Sequence, residues 1–212
     1  MKIGILGSAA VARTLAAGFV KHGHDVTMGT RDPAALADWA KQHPGVAVES
    51  VAVTAQGAEF IVLAVKGTAA SVVMHAAGAD NTRGKTIIDT TNPIADAPPV
   101  NGVLKYFTSH DDSLLERLQR ESPEAHFVKA FNSVGNAQMV NPELAGGPPT
   151  MFICGNDDGA KAQVRAILDQ FGWSTADMGK AEAARAIEPL CMLWCIPGFL
   201  QNQWTHAFKL LV

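Results

Sequence analysis

The sequence of 212 residues predicts an α/β protein with a doubly wound parallel sheet. Three observations lead to this fold class. Short apolar runs alternate with longer amphipathic segments, several of the runs are apolar throughout as buried parallel strands are, and a turn of small residues joins the first run to the first amphipathic segment. Units of this kind wind with right-handed crossovers, and ligands bind beyond the carboxyl ends of their strands.

The apolar runs predict seven strands, and the segments between them predict five helices and one short helical turn. The strands are Lys2–Leu6, Asp25–Met28, Val46–Val48, Phe60–Ala64, Thr86–Asp89, Phe127–Ala130 and Met151–Cys154. The helices are Ala10–Lys21, Pro33–Gln42, Thr68–Ala76, Ser113–Arg120 and Gly159–Gln170, and the helical turn is Val51–Gln56.

Local signals mark the ends of the first elements. The first helix follows the opening strand directly, and Gly23 ends it as a left-handed cap. The second strand begins at Asp25. Asp32 and Pro33 then predict the start of the next helix, with aspartate as the N-cap and proline at the first helical position.

The later loops and the last segment predict less regular structure. The loops Ala95–Gly102 and Asn141–Pro149 are each either a flap beside the substrate or a plain connection. Around Glu182–Ala186 the composition favours a helix, and Pro189 predicts a break or kink. Beyond it, Leu190–Ile196 is apolar on nearly every side, so we expect a second copy to bury it in a homodimer.

The turn after the first strand predicts a site for a dinucleotide. Gly7-x-Ala9-x-x-Ala12 is a variant of the G-x-G-x-x-G/A pattern, with alanine in place of the second glycine. The helix that starts here directs free N–H groups and the positive end of its dipole at a pyrophosphate. The predicted cofactor-binding residues of the turn are Gly7, Ser8, Ala9, Ala10 and Val11.

The tip of the second strand indicates which dinucleotide is bound. NAD-binding chains place Asp or Glu there to hold the ribose 2′-hydroxyl, whereas this chain has Thr30 and Arg31. A hydroxyl and a guanidinium suit a 2′-phosphate, which arginine can hold with two N–H bonds. The alternative for Arg31 is a solvated surface charge. We therefore predict NADP(H) as the cofactor.

The ends of three later strands carry further candidate contacts. We expect Ala64, Val65 and Lys66 to face the cofactor's ribose and pyrophosphate, with a solvated lysine as the alternative for Lys66. Asn92 and Pro93 are expected near the nicotinamide, where Asn92 either binds the cofactor or shapes the turn.

The second substrate is expected near the C-terminal face. We place it beside Asn132, at the end of the sixth predicted strand. Trp194 and Trp204 either line the acceptor pocket or pack in the core or a dimer interface.

Composition limits the remaining possibilities. Apolar residues make up 48% of the chain, charged residues 17%, and the net charge is −3. We expect a soluble cytoplasmic protein without a leader, and no nucleic-acid partner because no basic stripe is present. The apolar stretch from Pro189 to Leu200 is too short to cross a membrane. Three cysteines fit a reducing compartment, and no histidine or cysteine spacing predicts a metal site.

Together these segments resemble a known family. The chain is similar to the coenzyme F420-dependent NADP oxidoreductases, which include the reductase domain of ferric-reducing six-transmembrane proteins. No single segment is specific, but their order and spacing extend over nearly the whole chain. The matching segments are Gly7–Ala12, Gly29–Arg31, Lys129–Asn132, Gly155–Asp158, Asp177–Gly179, Ala184–Arg185 and Glu188–Leu190.

The resemblance implies a fold, a reaction and a domain organisation. Residues 1–148 would form an NADP-binding Rossmann domain, and residues 149–212 a small C-terminal portion, partly helical, that completes the sheet and supplies the acceptor and dimer face. The reaction implied is direct hydride transfer between NADP(H) and a flavin-like acceptor, either F420 or FMN/FAD. Such transfer needs two oriented rings more than acid–base chemistry, so no catalytic residue is predicted.

Two other functions fit the same residues. One is a non-catalytic NADPH-binding sensor or interaction module, which the altered glycine pattern would suit. The other is a short relative of the imine or hydroxyacid reductases. Those enzymes usually need a long helical C-terminal domain, whereas only about sixty residues follow the strand that begins at Met151.

Overall fold

The computed structural model describes residues 1–211, whose eight strands form one sheet in the order β3-β2-β1-β4-β5-β6-β7-β8. The strands are β1 (Lys2–Leu6), β2 (Asp25–Thr30), β3 (Val46–Ser50), β4 (Phe60–Leu63), β5 (Thr86–Asp89), β6 (His126–Lys129), β7 (Thr150–Gly155) and β8 (Ser174–Asp177). The helices are α1 (Ala10–Lys21), α2 (Ala37–Gln42), α3 (Val51–Gly57), α4 (Ala70–Ala77), α5 (Ala79–Thr82), α6 (Leu114–Glu121), α7 (Asp158–Gln170) and α8 (Ala184–Gln201).

The direction of the strands locates the ligand site. Strands β1 to β6 are parallel, β7 runs antiparallel to β6, and β8 is parallel to β7. The strand order reverses at β1, which lies between β2 and β4. Leu6 pairs with both Gly29 and Leu63, so the carboxyl ends of these three strands are level. In open α/β sheets this switch point is where ligands bind.

Apolar cores cover both faces of the sheet, as continuous apolar strands require. On one face Val62 of β4 packs in a cluster that includes residues of α1 and α7. On the other face Ile61 and Leu63 pack with residues of α3, α4, α6 and α8. Both sides of β4 are therefore buried, so the strand beside the switch point is packed on both faces.

Most of the predicted elements are confirmed. All seven predicted strands form, with ends within two residues of prediction, and α1 has the predicted bounds. The carboxylate of Asp32 accepts hydrogen bonds from the amides of Ala34 and Ala35, so the predicted cap forms, although the turn it starts is a 3₁₀ helix. Strand β8 was not predicted, because it is short, polar and partly exposed at the sheet edge.

The last helix differs from expectation in two ways. α8 continues through Pro189 and Pro197, so neither proline ends it. Its exposure is also uneven: the side chain of Glu188 is buried, whereas Leu193 and Leu200 are more than half exposed. Within residues 1–211, therefore, one side of this apolar helix is largely exposed.

α8 and the turn before it are also longer than the apolar stretch predicted from the sequence. An 18-residue stretch within Ala181–Gln201 has a mean hydropathy of 1.3, so this segment is long and apolar enough, by length and composition alone, to cross a membrane. The core helix of a soluble protein meets the same criterion. Within the described residues, Arg185 and Glu188 of this helix pair with charged groups of the sheet domain.

Candidate cofactor site

Two adjoining cavities lie at the switch point of the sheet. The larger has a volume of about 700 Å³ and the smaller about 280 Å³. Four residues that were predicted to bind the cofactor line both cavities: Ala9, Ala64, Val65 and Lys66. The fold therefore brings the turn after β1 and the end of β4 together along one groove.

Each cavity has its own further lining. The smaller is also lined by Gly7, Ser8, Gly29, Thr30, Arg31, Val51, Ala69, Val72 and Val73. The larger is also lined by Val11, Gly67, Thr90, Thr91, Asn92, Ile94, Ala95, Asp96, Ala97 and Pro98. The smaller cavity is thus lined by Thr30 and Arg31, which were predicted for the 2′-phosphate end, and the larger by Asn92, which was predicted for the nicotinamide end. Ala10 is exposed at the start of α1, beside Ala9 and Val11.

Gly7 allows the turn to pass close to β4. Its φ is +143°, and a Cβ added here would lie 2.1 Å from the carbonyl oxygen of Ala64. Its amide donates a hydrogen bond to the Gly29 carbonyl oxygen at 2.9 Å, which ties the turn to the end of β2. A side chain at this position would collide with the backbone of β4, so the turn can pass this close only with glycine.

The start of α1 provides unpaired backbone donors. Ala9 is the N-cap and has no capping side chain, and the first turn contains no acidic residue. The first amides of a helix have no partner within it, so those of Ala10 and Val11 are available to an anion. The guanidinium of Arg13 donates to the carbonyl oxygen of Ser8 at 2.9 Å, which holds the turn in place. This arrangement fits a pyrophosphate.

The tip of β2 carries the positively charged guanidinium of Arg31. Arg31 is exposed, and its side chain has no hydrogen bond or ion pair with any other residue of 1–211. The Thr30 hydroxyl accepts from the amide of Asp32 at 3.4 Å. The Asp32 carboxylate is occupied with the cap described above, so it does not replace the ribose-binding acid of NAD-binding chains. The residues present fit a 2′-phosphate.

Asn92 reaches the larger cavity with its side chain held by Asn132. The Asn92 side-chain amide donates to the Asn132 carbonyl oxygen at 2.8 Å, and the Asn132 amide donates to Asn92 Oδ1 at 3.2 Å. Asn132, predicted to bind substrate, is only 3% exposed and does not line either cavity. It contacts the site through Asn92. Pro93 is also buried, behind the cavity wall.

A buried group of charges lies behind this wall, and it was not predicted. Lys129 Nζ lies 2.6 Å from Asp89 Oδ2 and 2.9 Å from Glu188 Oε1, with all three side chains at most 2% exposed. Burial alone lowers the pKa of Lys129, but the two carboxylates raise it by more, so its pKa lies above the ordinary lysine value. The available sequence signal was a charged residue, Asp89 or Lys129, directly after two apolar residues at the end of a short strand.

The far side of the larger cavity is formed by the loop that follows β5. Ile94, Ala97 and Pro98 give it an apolar surface. The loop is held by a bridge between Ile94 and Tyr106. This loop was interpreted either as a flap beside the substrate or as a plain connection, and its place in the cavity wall favours the flap.

Trp194 and Trp204 lie elsewhere and line neither cavity. Trp194 is 7% exposed, and its indole N–H donates to the carbonyl oxygen of His206 at 2.8 Å. Its ring centroid lies 5.6 Å from that of Trp204. These contacts show that both tryptophans pack near the C-terminal end of the described chain and do not line the acceptor pocket.

Among residues 1–211, no group of three or more metal-ligating side chains is placed to hold an ion.

The site defines a dinucleotide-binding protein of the Rossmann class. It combines a crevice at the switch point, a glycine turn packed against β4, open amides at the start of α1 and the guanidinium of Arg31 at the tip of β2. Comparisons with known proteins agree. The family described as NADP oxidoreductase, coenzyme F420-dependent, matches residues 2–93. The crystal structure of a proposed F420-dependent NADP-reductase from Arthrobacter sp. FB24 is 36% identical, covers 100% of both chains and superposes with a TM-score of 0.94.

The chain belongs to the family of coenzyme F420-dependent NADP oxidoreductases. The predicted resemblance, the enzyme class and the NADP(H) cofactor are thereby confirmed. Metalloreductase STEAP3 of Rattus norvegicus is 32% identical over 203 residues, which are 94% of this chain but 39% of that protein. The chain thus spans about two fifths of this curated relative. An imine reductase from Streptomyces aurantiacus, 16% identical with a TM-score of 0.67, covers 94% of this chain and 63% of its own, and shows the fold alone.

Proposed function

We propose that this protein transfers hydride between NADP(H) and a flat flavin-type ring, either the deazaflavin F420 or FMN/FAD. The observation that carries the proposal is the apolar wall of the larger cavity, formed by Ile94, Ala97 and Pro98 at the nicotinamide end. Apolar surface suits the face of an aromatic ring. The charged side chains in this lining, Lys66 and Asp96, are exposed and lie 3.9 Å apart, so neither is a buried acid or base.

The chain's residues have binding and orienting roles in this proposal. NADPH, when bound, supplies the hydride. The amides at the start of α1 hold the pyrophosphate, Thr30 and Arg31 hold the 2′-phosphate, and Asn92 presents its amide to the nicotinamide end. The apolar loop excludes water from the space above it. Hydride transfer between two rings requires this alignment and exclusion of water rather than a proton donor, which is consistent with the lining.

An assay of NADPH oxidation tests the acceptor. We expect oxidation, followed at 340 nm under anaerobic conditions, to require an added F420, FMN or FAD, and NADH to be a much poorer donor. A ferric chelate is included as a separate acceptor because of the metalloreductase relative. Tight NADPH binding without turnover on any acceptor would contradict the proposal and favour a sensor module. Turnover only with cyclic imines would favour the imine reductase alternative.

We also propose a homodimer formed through the exposed side of α8. Leu193, Phe199 and Leu200 are 45–59% exposed there, and the ring of Phe199 lies 5.3 Å from that of Trp204, which adds to the exposed apolar surface. The three cysteines are unpaired, which supports a reducing cytoplasmic location.

Sedimentation velocity at micromolar concentration tests this interface. We expect a dimer for the native chain and a monomer for Leu200→Asp, because a buried charge would be left unpaired. Val53→Asp is the matched control, since Val53 is 50% exposed at the start of α3, away from α8. A native monomer, or a dimer that Leu200→Asp leaves intact, would argue against this interface.

A further inference from the structure

Glu188 is a buried carboxylate on α8, a helix that does not line the larger cavity. The side chain accepts hydrogen bonds from the amides of Leu114 and Leu115 at 3.0 Å, at the start of α6. It also pairs with Lys129 Nζ at 2.9 Å. All three of its partners are donors, so the position requires a group that accepts from several directions. A carboxylate provides this, whereas an amide has only one acceptor oxygen.

Lys129 connects Glu188 to the cavity wall. Its Nζ donates to the carbonyl oxygen of Thr91 at 2.8 Å. Thr91 lines the larger cavity, and its amide and hydroxyl both donate to Asp89 Oδ1, at 2.9 and 2.6 Å. The amide, hydroxyl and carbonyl groups of Thr91 are therefore all held by buried charged side chains. The position of this part of the wall depends on the charges behind it.

The backbone of Glu188 connects to the loop on the other side of the cavity. Its carbonyl oxygen accepts a hydrogen bond from the Tyr106 hydroxyl at 2.8 Å. Tyr106 pairs in turn with Ile94, which is part of the apolar cavity wall. Glu188 is thus linked to both sides of the nicotinamide end of the groove.

The residue before it makes a third connection. The carbonyl oxygen of Ile187 accepts from the side-chain amide of Asn132 at 3.0 Å, and Asn132 holds the side chain of Asn92. Ile187 and Glu188 of α8 are therefore linked, through Asn132, Lys129 and Tyr106, to the stretch of cavity wall that contains Thr91, Asn92 and Ile94. No comparable bond from Ile187 or Glu188 reaches the turn after β1 or the tip of β2 among residues 1–211.

We propose that Glu188 is a positioning residue, which holds Thr91, Asn92 and the loop at Ile94 in the arrangement that receives the nicotinamide end of the cofactor. The proposal rests on NADP(H) binding in this groove and is independent of the acceptor. It implies that α8, although remote from the cofactor, affects one end of the groove and leaves the adenosine end unchanged.

Glu188→Gln tests the proposal by binding measurements. Calorimetry compares NADPH with adenosine 2′,5′-bisphosphate, which carries only the end held by Thr30 and Arg31. We expect NADPH affinity to fall about tenfold and the bisphosphate affinity to stay within about twofold of native. Glu182→Gln is the matched control, since Glu182 is exposed in the turn before α8, and we expect no change there.

The contrary outcomes are distinct. Equal losses for both ligands would show a general structural role, and unchanged affinities would show no role, so either result would overturn the proposal. Where Glu188→Gln fails to fold, Tyr106→Phe removes the hydrogen bond from the loop to the Glu188 carbonyl oxygen and should weaken NADPH about two- to fivefold with the bisphosphate unchanged. Failure of the native protein to bind NADPH at all would instead contradict the proposed function.

Discussion

Replacing Lys129 by methionine should lower the free energy of unfolding by about 3–5 kcal/mol, the usual cost of removing one partner of a buried ion pair. Asp89 and Glu188 would remain buried without their cation, and the Thr91 carbonyl oxygen would lose its donor. Chemical denaturation monitored by circular dichroism measures the change. Lys41→Met is the matched control, because its pair with Asp38 is exposed and should contribute only about 0–1 kcal/mol.

The pH dependence of this difference has a definite sign. The pKa of Lys129 is raised in the folded protein, so its contribution is complete below the ordinary lysine pKa of about 10.4 and is lost only as the pH rises through the folded value. The contribution of Lys129 itself should therefore be constant from about pH 6 to 9, and a gap between native and Lys129→Met that narrows as the pH falls would report proton uptake by the carboxylates left unpaired in the variant. Adding Asp89→Asn to Lys129→Met should restore part of the stability. A Lys129→Met variant within about 1 kcal/mol of native would contradict the paired burial of these charges.

Sequence periodicity predicted the sheet because the strands that carry it are buried on both faces. The run Phe60–Leu63 is apolar at every position, which is possible only where helices cover both sides. The edge strand Ser174–Asp177 was missed for the opposite reason: it has no apolar run, and its partner β7 supplies the pairing. Pro189 was expected to disturb the last helix, but the ion pairs of Arg185 and Glu188 anchor the part of α8 directly before it.

The cofactor end of the site was predictable because its residues lie in one βαβ unit and bind largely through the backbone. Gly7 and Arg31 are set by a local turn and by the length of one strand. The positioning group was not predictable in the same way. Asp89, Lys129 and Glu188 are far apart in the chain, and only the pairing of β5 with β6 and the packing of α8 bring them together.

Replacing Arg31 by alanine should weaken NADPH binding about 10- to 100-fold and leave NADH nearly unchanged. The guanidinium at the tip of β2 is unpaired among residues 1–211, so its hydrogen-bonding capacity is available to a 2′-phosphate, and a charge-assisted contact of this kind contributes about 1.5–3 kcal/mol. At about 1.4 kcal/mol per decade this corresponds to the stated range. Because the contact is electrostatic and exposed, the difference between native and variant should shrink as salt is added.

Isothermal titration calorimetry with NADPH, NADH and adenosine 2′,5′-bisphosphate makes the measurement specific to that phosphate. Arg165→Ala, an exposed arginine on α7 far from the groove, is the matched control and should bind all three ligands as the native protein does. Arg31→Ala should lose affinity for NADPH and the bisphosphate by the same factor, since both carry the 2′-phosphate. If NADH weakened as much as NADPH, the guanidinium would be holding a part of the cofactor common to both, and the preference for NADP(H) would need another origin.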